Sequence, residues 1–353
     1  MAHLVASISG HGFGHVAQTA PVLNALHRSM PGLQITVRST APAALLRDRI
    51  VAPFAHLQSE GDIGMIMSSA LAVRVPESLA AYRRFHDGWA SRVVSESLLL
   101  RALNADFVFS NAGYLPLAGA QHAGIANAAL CSLNWYDIYR HYGGEPWISE
   151  QIHDCYACSK AFLRATPGMA MEYLPNVVPV LPIARVGRNM RDVIDRKLKL
   201  PRDHKLVLVS MGGIASRLPI ERWPRISGVT WLVQKDWQVA HPDAIILESL
   251  QLDFSDLLAS CDLLVCKPGY GSFVEAASSG VPVIYVSRAD WPESAALIAW
   301  LEEYGVCRQI SPGDMQTGNF GALLEQIWNS SQPGPVIPAG ATQVAHWLAE
   351  QLQ

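Results

Sequence analysis

The sequence predicts an α/β protein made of two doubly wound, parallel-sheet domains facing one another across a cleft. Three observations carry that expectation. Strand-sized apolar runs alternate with helix-length amphipathic stretches, twice over along 353 residues, which is the pattern of βαβ units. Half the residues are hydrophobic and only 16% are charged, a composition suited to parallel strands covered on both faces. Each half opens with a strand that runs into a glycine turn: Ser9-Gly10-His11-Gly12-Phe13-Gly14-His15 in the first and Met211-Gly212-Gly213 in the second. The length also exceeds that of most single domains.

The elements follow in order. His3–Ile8 is an apolar strand and His15–Ser29 an amphipathic helix. Gln34–Arg38 is a strand, Ala41–Arg49 a short helix and Pro53–Leu57 a third strand. Glu77–Leu103 reads as one long helix leading to the strand Asp106–Ser110. Leu115–Ala123 is a helix, Ala126–Cys131 a buried strand and Gln151–Lys160 a helix. Pro167, Pro175, Pro179 and Pro182 then punctuate a stretch of weak periodicity, expected to be a linker over 166–203. The second half supplies strands at Lys205–Ser210, Val229–Val233, Ala244–Leu247, Asp262–Cys266 and Pro282–Val286. Its helices are expected at Phe254–Ala259, Ser272–Ser279 and Glu293–Tyr304. The domains are accordingly 1–165 and 166–337, with a last helix in 338–353 that packs back on the first domain.

Composition narrows the function classes. A formal charge of −3 without a basic face argues against nucleic acid as a partner. The apolar runs are too short to span a membrane. The N-terminus enters a strand without a basic region before it, so a cytoplasmic protein is expected, compatible with peripheral contact to a membrane-borne substrate. Cys155 and Cys158, two of six cysteines, form a CxxC preceded by His153. Without a second such pair they are expected to be reduced, packed thiols on one helix face rather than a zinc or redox site.

The most informative segment is Asp262–Val286. A strand enters a glycine turn and a helix starts there, leaving unpaired backbone N–H groups that favour a phosphate. Gly269, Tyr270, Gly271 and Ser272, with Gly212 and Gly213, are the candidate diphosphate cradle. Lys267 is a candidate point charge for it, or else a solvated strand-end lysine. Glu275, on the helix that follows, is placed to accept hydrogen bonds from ribose hydroxyls.

The first turn supplies the chemistry. A dinucleotide-binding GxGxxG would need glycine where His15 stands. Arg38 could face a 2′-phosphate, which leaves a nicotinamide enzyme as a minor alternative. His15 lies at a helix N-terminus, whose dipole keeps an imidazole neutral. A neutral imidazole facing a cleft can take a proton from an acceptor hydroxyl; the alternative is that it only braces the loop. His11, Gly12, Phe13 and Gly14 fall on the same acceptor side. So do Asn134 and Trp135, with Trp135 read as a sugar platform or a packed aromatic. Asp137 is a candidate to orient His15 or a helix cap. Asp290 and Glu293 read equally as donor contacts or as acids favoured at a helix N-terminus. No acidic metal motif stands in a suitable loop, and neither metal nor cofactor is expected.

These motifs resemble a known family. Gly14-His15-Val16 ahead of an apolar helix, with Gly269…Glu275-Ala276…Gly280-Val281-Pro282, resembles the GT-B glycosyltransferases, including the bacterial peptidoglycan N-acetylglucosaminyltransferase. Gly10–His15, Asn134-Trp135-Tyr136-Asp137-Ile138-Tyr139 and Arg288-Ala289-Asp290-Trp291-Pro292-Glu293 are more similar to the glycosyltransferase-like N-terminal region of L-arabinokinases and to bacterial predicted glycosyltransferases. The resemblance covers nearly the whole chain. It implies His15 as base, Glu275 as ribose ligand and the Gly212 turn near the donor phosphates. It also implies a nucleotide-sugar donor, a UDP-sugar first, and an unidentified acceptor. Where the peptidoglycan enzyme has paired glutamines this chain has Pro292-Glu293-Ser294, so the sugar is left open. With no second catalytic module within 353 residues, kinase activity is not implied. The alternatives are a nucleotide-sugar hydrolase of the same fold and a non-catalytic nucleotide-sugar binding protein.

Overall fold

The computed structural model describes residues 2–201, 203–213 and 216–353. The first sheet is assembled from β1 (His3–Ile8), α1 (Phe13–Ser29), β2 (Gln34–Arg38), α2 (Ala43–Arg49) and β3 (Ala55–Leu57). These are followed by α3 (Val75–His86), α4 (Trp89–Ala102), β4 (Phe107–Asn111), α5 (Leu115–Ala123) and β5 (Ala126–Cys131). Next come α6 (Trp135–His141), α7 (Pro146–Ala157), β6 (Phe162–Ala165) and β7 (Val177–Val180). All seven strands are parallel, in the order β3-β2-β1-β4-β5-β6-β7. The central strand β1 is buried along its whole length, as a strand covered by helices on both faces must be.

The second sheet contains α8 (Arg191–Leu198), β8 (Lys205–Ser210), β9 (Val229–Val233), β10 (Ala244–Ile246), α9 (Phe254–Ala259) and β11 (Leu263–Cys266). It continues with α10 (Tyr270–Ser279), β12 (Val283–Val286), α11 (Glu293–Tyr304), β13 (Cys307–Ile310), α12 (Pro312–Thr317), α13 (Gly321–Trp328) and α14 (Gly340–Gln351). Its six parallel strands run β10-β9-β8-β11-β12-β13. Each sheet therefore reverses its winding beside its first strand, at β1/β4 and at β8/β11. Ligands bind outside the strand ends at such points. No helix among the described residues is long and apolar enough to cross a membrane.

Several expectations change. The expected helix Glu77–Leu103 is two, α3 and α4, because Gly88 takes a left-handed conformation at φ 72°. The first sheet extends past 165: β6 and β7 pair in register from Phe162↔Val177 to Ala165↔Val180. Pro179 is tolerated because β7 is the sheet edge, where a missing N–H breaks no inner ladder. Arg38 is not free for a 2′-phosphate. It is buried and forks onto Glu96 of α4 and onto Ser59. Cys155 and Cys158 are both free, but only one is packed: Cys155 is buried, while Cys158, the C-cap of α7, is exposed.

The two halves touch at named places. α1 runs beside α10, where Gly271 lies so close to Ala17 that an added Cβ would sit 3.0 Å from the alanine methyl. A tight bend held by the Met67↔Val73 bridge carries Ala70 into the apolar cluster of the second sheet, which includes Val209 and Met211. Helix α14 packs along α1, with Trp347 against Phe107.

Candidate active site

The strand ends at the two winding reversals face each other around a cavity of about 240 Å³. On one wall, Gly212 follows β8 with φ 79°, a conformation open to glycine at no cost. Beside it, Gly269 is the N-cap of α10 and offers no side chain to that helix, so the first N–H groups of α10, which lines the cavity, have no side-chain cap among the described residues. Lys267 reaches between the two turns: a Cβ on Gly212 or Gly269 would lie 3.8 or 3.7 Å from its Nζ. Among the described residues, Nζ has neither a hydrogen bond nor an ion pair. Burial, then repulsion from Arg288, pulls its pKa from 10.5 down to about 8. A lone ammonium beside a helix N-terminus favours negative charge.

Glu275 is buried one turn further along α10 and lines the same cavity. Its Oε1 accepts from Arg49 Nη1 of α2 at 2.9 Å, an ion pair that crosses between the halves. Burial pushes the carboxyl up, and Arg49 works against that shift.

On the opposite wall His15 occupies the first turn of α1, whose N-cap is Gly12 at φ 113°. A chain of hydrogen bonds fixes its ring. Ser132 Oγ donates to Glu293 Oε1 at 2.6 Å. Ser132 Oγ therefore accepts from Gln18 Nε2 at 2.7 Å, which turns Gln18 Oε1 toward Asn111 Nδ2 at 3.3 Å. Asn111 Oδ1 is left facing His15 Nδ1 at 2.7 Å. Nδ1 thus carries the proton and Nε2 the lone pair. Burial lowers the His15 pKa from 6.5 to about 4, while the bond to Asn111 opposes the shift.

His11 is held by Met65 O, 2.9 Å from its Nε2, and stacks on Trp291 with ring centroids 5.7 Å apart. Burial first, then repulsion from His15 and Arg288, lowers its pKa to about 3. Asp62 sits behind this layer and accepts from Ser9 Oγ at 3.0 Å and from Trp135 Nε1 at 2.7 Å. Burial raises its pKa to about 6 against both bonds.

The cavity brings together His11, Gly12, Phe13, Gly14 and His15 on one side and Gly212, Gly213, Lys267, Gly269–Ser272, Glu275 and Glu293 on the other. Tyr270 also lines it, but its hydroxyl turns away, accepting from Ile183 N and donating to Thr166 O. Two expected acceptor-side residues, Asn134 and Trp135, and the expected catalytic Asp137 lie outside the cavity lining. Trp135 has no exposed surface, so it cannot serve as a sugar platform; it backs His11 and His15 instead. Asn134 caps α6 by accepting from Asp137 N, and Asp137 accepts in turn from Asn134 Nδ2. Asn111, not Asp137, orients His15. Asp290 is exposed outside the cavity, where its carbonyl accepts from Tyr142. Glu293 is a cavity residue with both oxygens engaged, by Ser132 and by Trp291 Nε1 at 3.2 Å. Sequence reasoning did not assign Gln18, Arg49, Asp62, Asn111, Ser132, Arg288 or Trp291 to the site. Asn111 carried a usable signal, being a polar residue at the end of an otherwise apolar strand; the others depend on tertiary placement.

No protein-family model matches the chain. It is 26% identical over 339 residues to L-arabinokinase of Arabidopsis thaliana, a match that takes in 92% of this chain but 32% of that protein. The chain thus spans about a third of the length of that relative. Solved structures align along almost its full length. The glycotransferase of kitacinnamycin matches with a TM-score of 0.64 at 13% identity, over 99% of both chains. Phytolacca americana UGT2, solved with UDP-2fluoro-glucose and pterostilbene, matches at 0.58 and 13% identity over 100% of this chain and 94% of that one. A Listeria monocytogenes protein described as a UDP-N-acetylglucosamine 2-epimerase matches at 0.60 and 11% identity over 97% and 94%. Identities this low speak to the fold alone, and the fold is plain: two parallel α/β sheets in the GT-B arrangement of glycosyltransferases.

Proposed function

We propose that the chain is a glycosyltransferase that moves a sugar from a nucleotide diphosphate donor, a UDP-sugar first, to an acceptor hydroxyl or amine. The observation that carries this reading is the pairing of His15 and Lys267 across one cavity. One wall offers an imidazole whose Nε2 lone pair is fixed by the Asn111 bond. The other offers an unpaired ammonium and the open N-terminus of α10. In the proposed reaction Nε2 takes the acceptor proton as the acceptor oxygen or nitrogen bonds the anomeric carbon. The bond from that carbon to the diphosphate breaks, and the leaving group's charge falls on Lys267 and the α10 N–H groups, as electrostatic stabilisation requires. Glu275, with Arg49 holding it in place, is the proposed ribose ligand.

At a pKa of about 4 His15 is neutral throughout the physiological range. It is then always available but weak as a base, so much of the driving force has to come from the leaving group. The complexed plant relative binds UDP-2fluoro-glucose by its description, which supports a nucleotide-sugar donor here.

The modest cavity, about 240 Å³, favours a second reading, hydrolysis of the nucleotide-sugar with water in the acceptor's place. Release of nucleotide diphosphate, followed with and without candidate acceptors, separates the two. Acceptor-dependent release that falls at least about a hundredfold in His15→Ala is expected. Unchanged turnover in that variant would remove His15 from the reaction, and acceptor-independent release would favour hydrolysis.

A further inference from the structure

Arg288 has no place in the reaction just described, yet it is among the least satisfied groups in the molecule. It follows β12, is 4% exposed and lines the cavity. A guanidinium has five N–H donors and no acceptor. Among the described residues, its only hydrogen bond is from Nη2 to the thioether of Met67 at 3.4 Å, and its Nε is buried without a partner. A thioether is a weak acceptor. Two other arginines with little exposure differ: the buried Arg38, though its Nε also lacks a partner, is paired with Glu96, and the half-buried Arg49 with Glu275.

The group is nevertheless held in position. Its guanidinium carbon lies 3.8 Å from the centroid of Trp291, which stacks on His11 at an interplanar angle of 10°. Burial drags its pKa below the ordinary arginine value, against the pull of Tyr142, Asp290 and Glu293, none of which forms an ion pair with it among the described residues. A planar fork fixed against an aromatic face matches the two oxygens of a carboxylate.

Its position along the cavity indicates which part of the ligand it meets. Lys267 stands at the glycine turns, whereas Arg288 rests on the face of Trp291, which itself stacks on His11, so its guanidinium lies toward the acceptor wall. On a nucleotide-sugar, the group beyond the diphosphate is the sugar. Resting on the donor reading above, we infer that Arg288 receives a carboxylate on the donor sugar, and that the donor is a nucleotide-diphospho-uronic acid.

The test is calorimetric titration of the wild type with UDP, UDP-glucose and UDP-glucuronate, or the same set on whichever base binds tightest. The uronate is expected to bind about tenfold or more tighter than the neutral sugar, the worth of a charge-assisted pair. Arg288→Met should level the two sugars and leave the nucleoside diphosphate alone within about twofold, since Lys267 and α10 remain. Equal wild-type affinity for the two sugars overturns the inference without recourse to any variant. Loss of nucleoside diphosphate binding in a folded Arg288→Met protein also overturns it, assigning Arg288 to the diphosphate. Failure of every nucleotide to bind would bring down the donor reading itself, a distinct outcome.

Discussion

Replacing Asn111 probes the imidazole of His15 without touching its ring. In Asn111→Leu the Nδ1–H of His15 loses the acceptor now 2.7 Å away. Leaving that buried donor unpaired should cost about 1–3 kcal/mol of folding stability. Only the weak contact of Nδ1 with Cys131 Sγ at 3.7 Å then remains, and an imidazole that turns N–H toward the acceptor cannot act as its base. The loss in turnover should approach the whole base contribution, about 10²–10⁴-fold. Asn111→Asp retains an acceptor at the same place and adds a negative charge, which favours the imidazolium. The His15 pKa should then rise from about 4, carrying the acid limb of activity to higher pH. Proton–nitrogen correlation spectra of ¹⁵N-histidine-labelled protein read tautomer and titration together and require no substrate. The wild type should show the Nδ1–H tautomer and no titration of His15 near 6.5. An Nε2–H tautomer, or an ordinary midpoint, would refute the assignment of the base.

Two further outcomes concern stability. Asp62 is raised from 3.8 to about 6 in the folded protein, so the native state binds more protons than the unfolded chain between those values, and stability is lost as pH rises through that window. The loss is about 3 kcal/mol by linkage. Asp62→Asn can keep both bonds if Ser9 turns to accept, so urea unfolding should find it more stable than the wild type at pH 8 and nearly equal at pH 4. A gap that widens toward acid would contradict this. His11 and His15 are lowered and act with the opposite sign, losing stability as pH falls below about 6.5, which is why the comparison has to be between variant and wild type. Arg49→Met strands the buried carboxylate of Glu275 and should cost about 3 kcal/mol, with nucleotide-sugar affinity falling as well. Unchanged stability would show that the ion pair does not hold the halves together.

The two-sheet fold was legible because central parallel strands are continuously apolar and helices alternate with them. His3–Ile8 and Lys205–Ser210 were placed to the residue. What escaped was short or at an edge. Val177–Val180 carries a proline that argues against a strand unless it is known to lie at a sheet edge. Gly88 inside an otherwise helical run was a stop signal that periodicity overrode. Within the site, residues on the glycine turns could be found, because phosphate chemistry dictates glycine and a helix start. Residues that act through others could not. Asn111 meets His15 only because β4 lies beside β1, and Ser132 meets Glu293 only because the two halves close on one another. Asp137 shows the converse error: a carboxylate close in sequence to the expected cleft was spent on local capping.

Direct titration of the wild-type protein with UDP-, dTDP- and GDP-sugars tests most directly whether this cleft is a donor site. Saturable one-to-one binding of at least one is expected, weakened about tenfold or more in Lys267→Met, where the ammonium at the glycine turns is lost. If none of them binds, the cavity between His15 and Lys267 is not a nucleotide-sugar site.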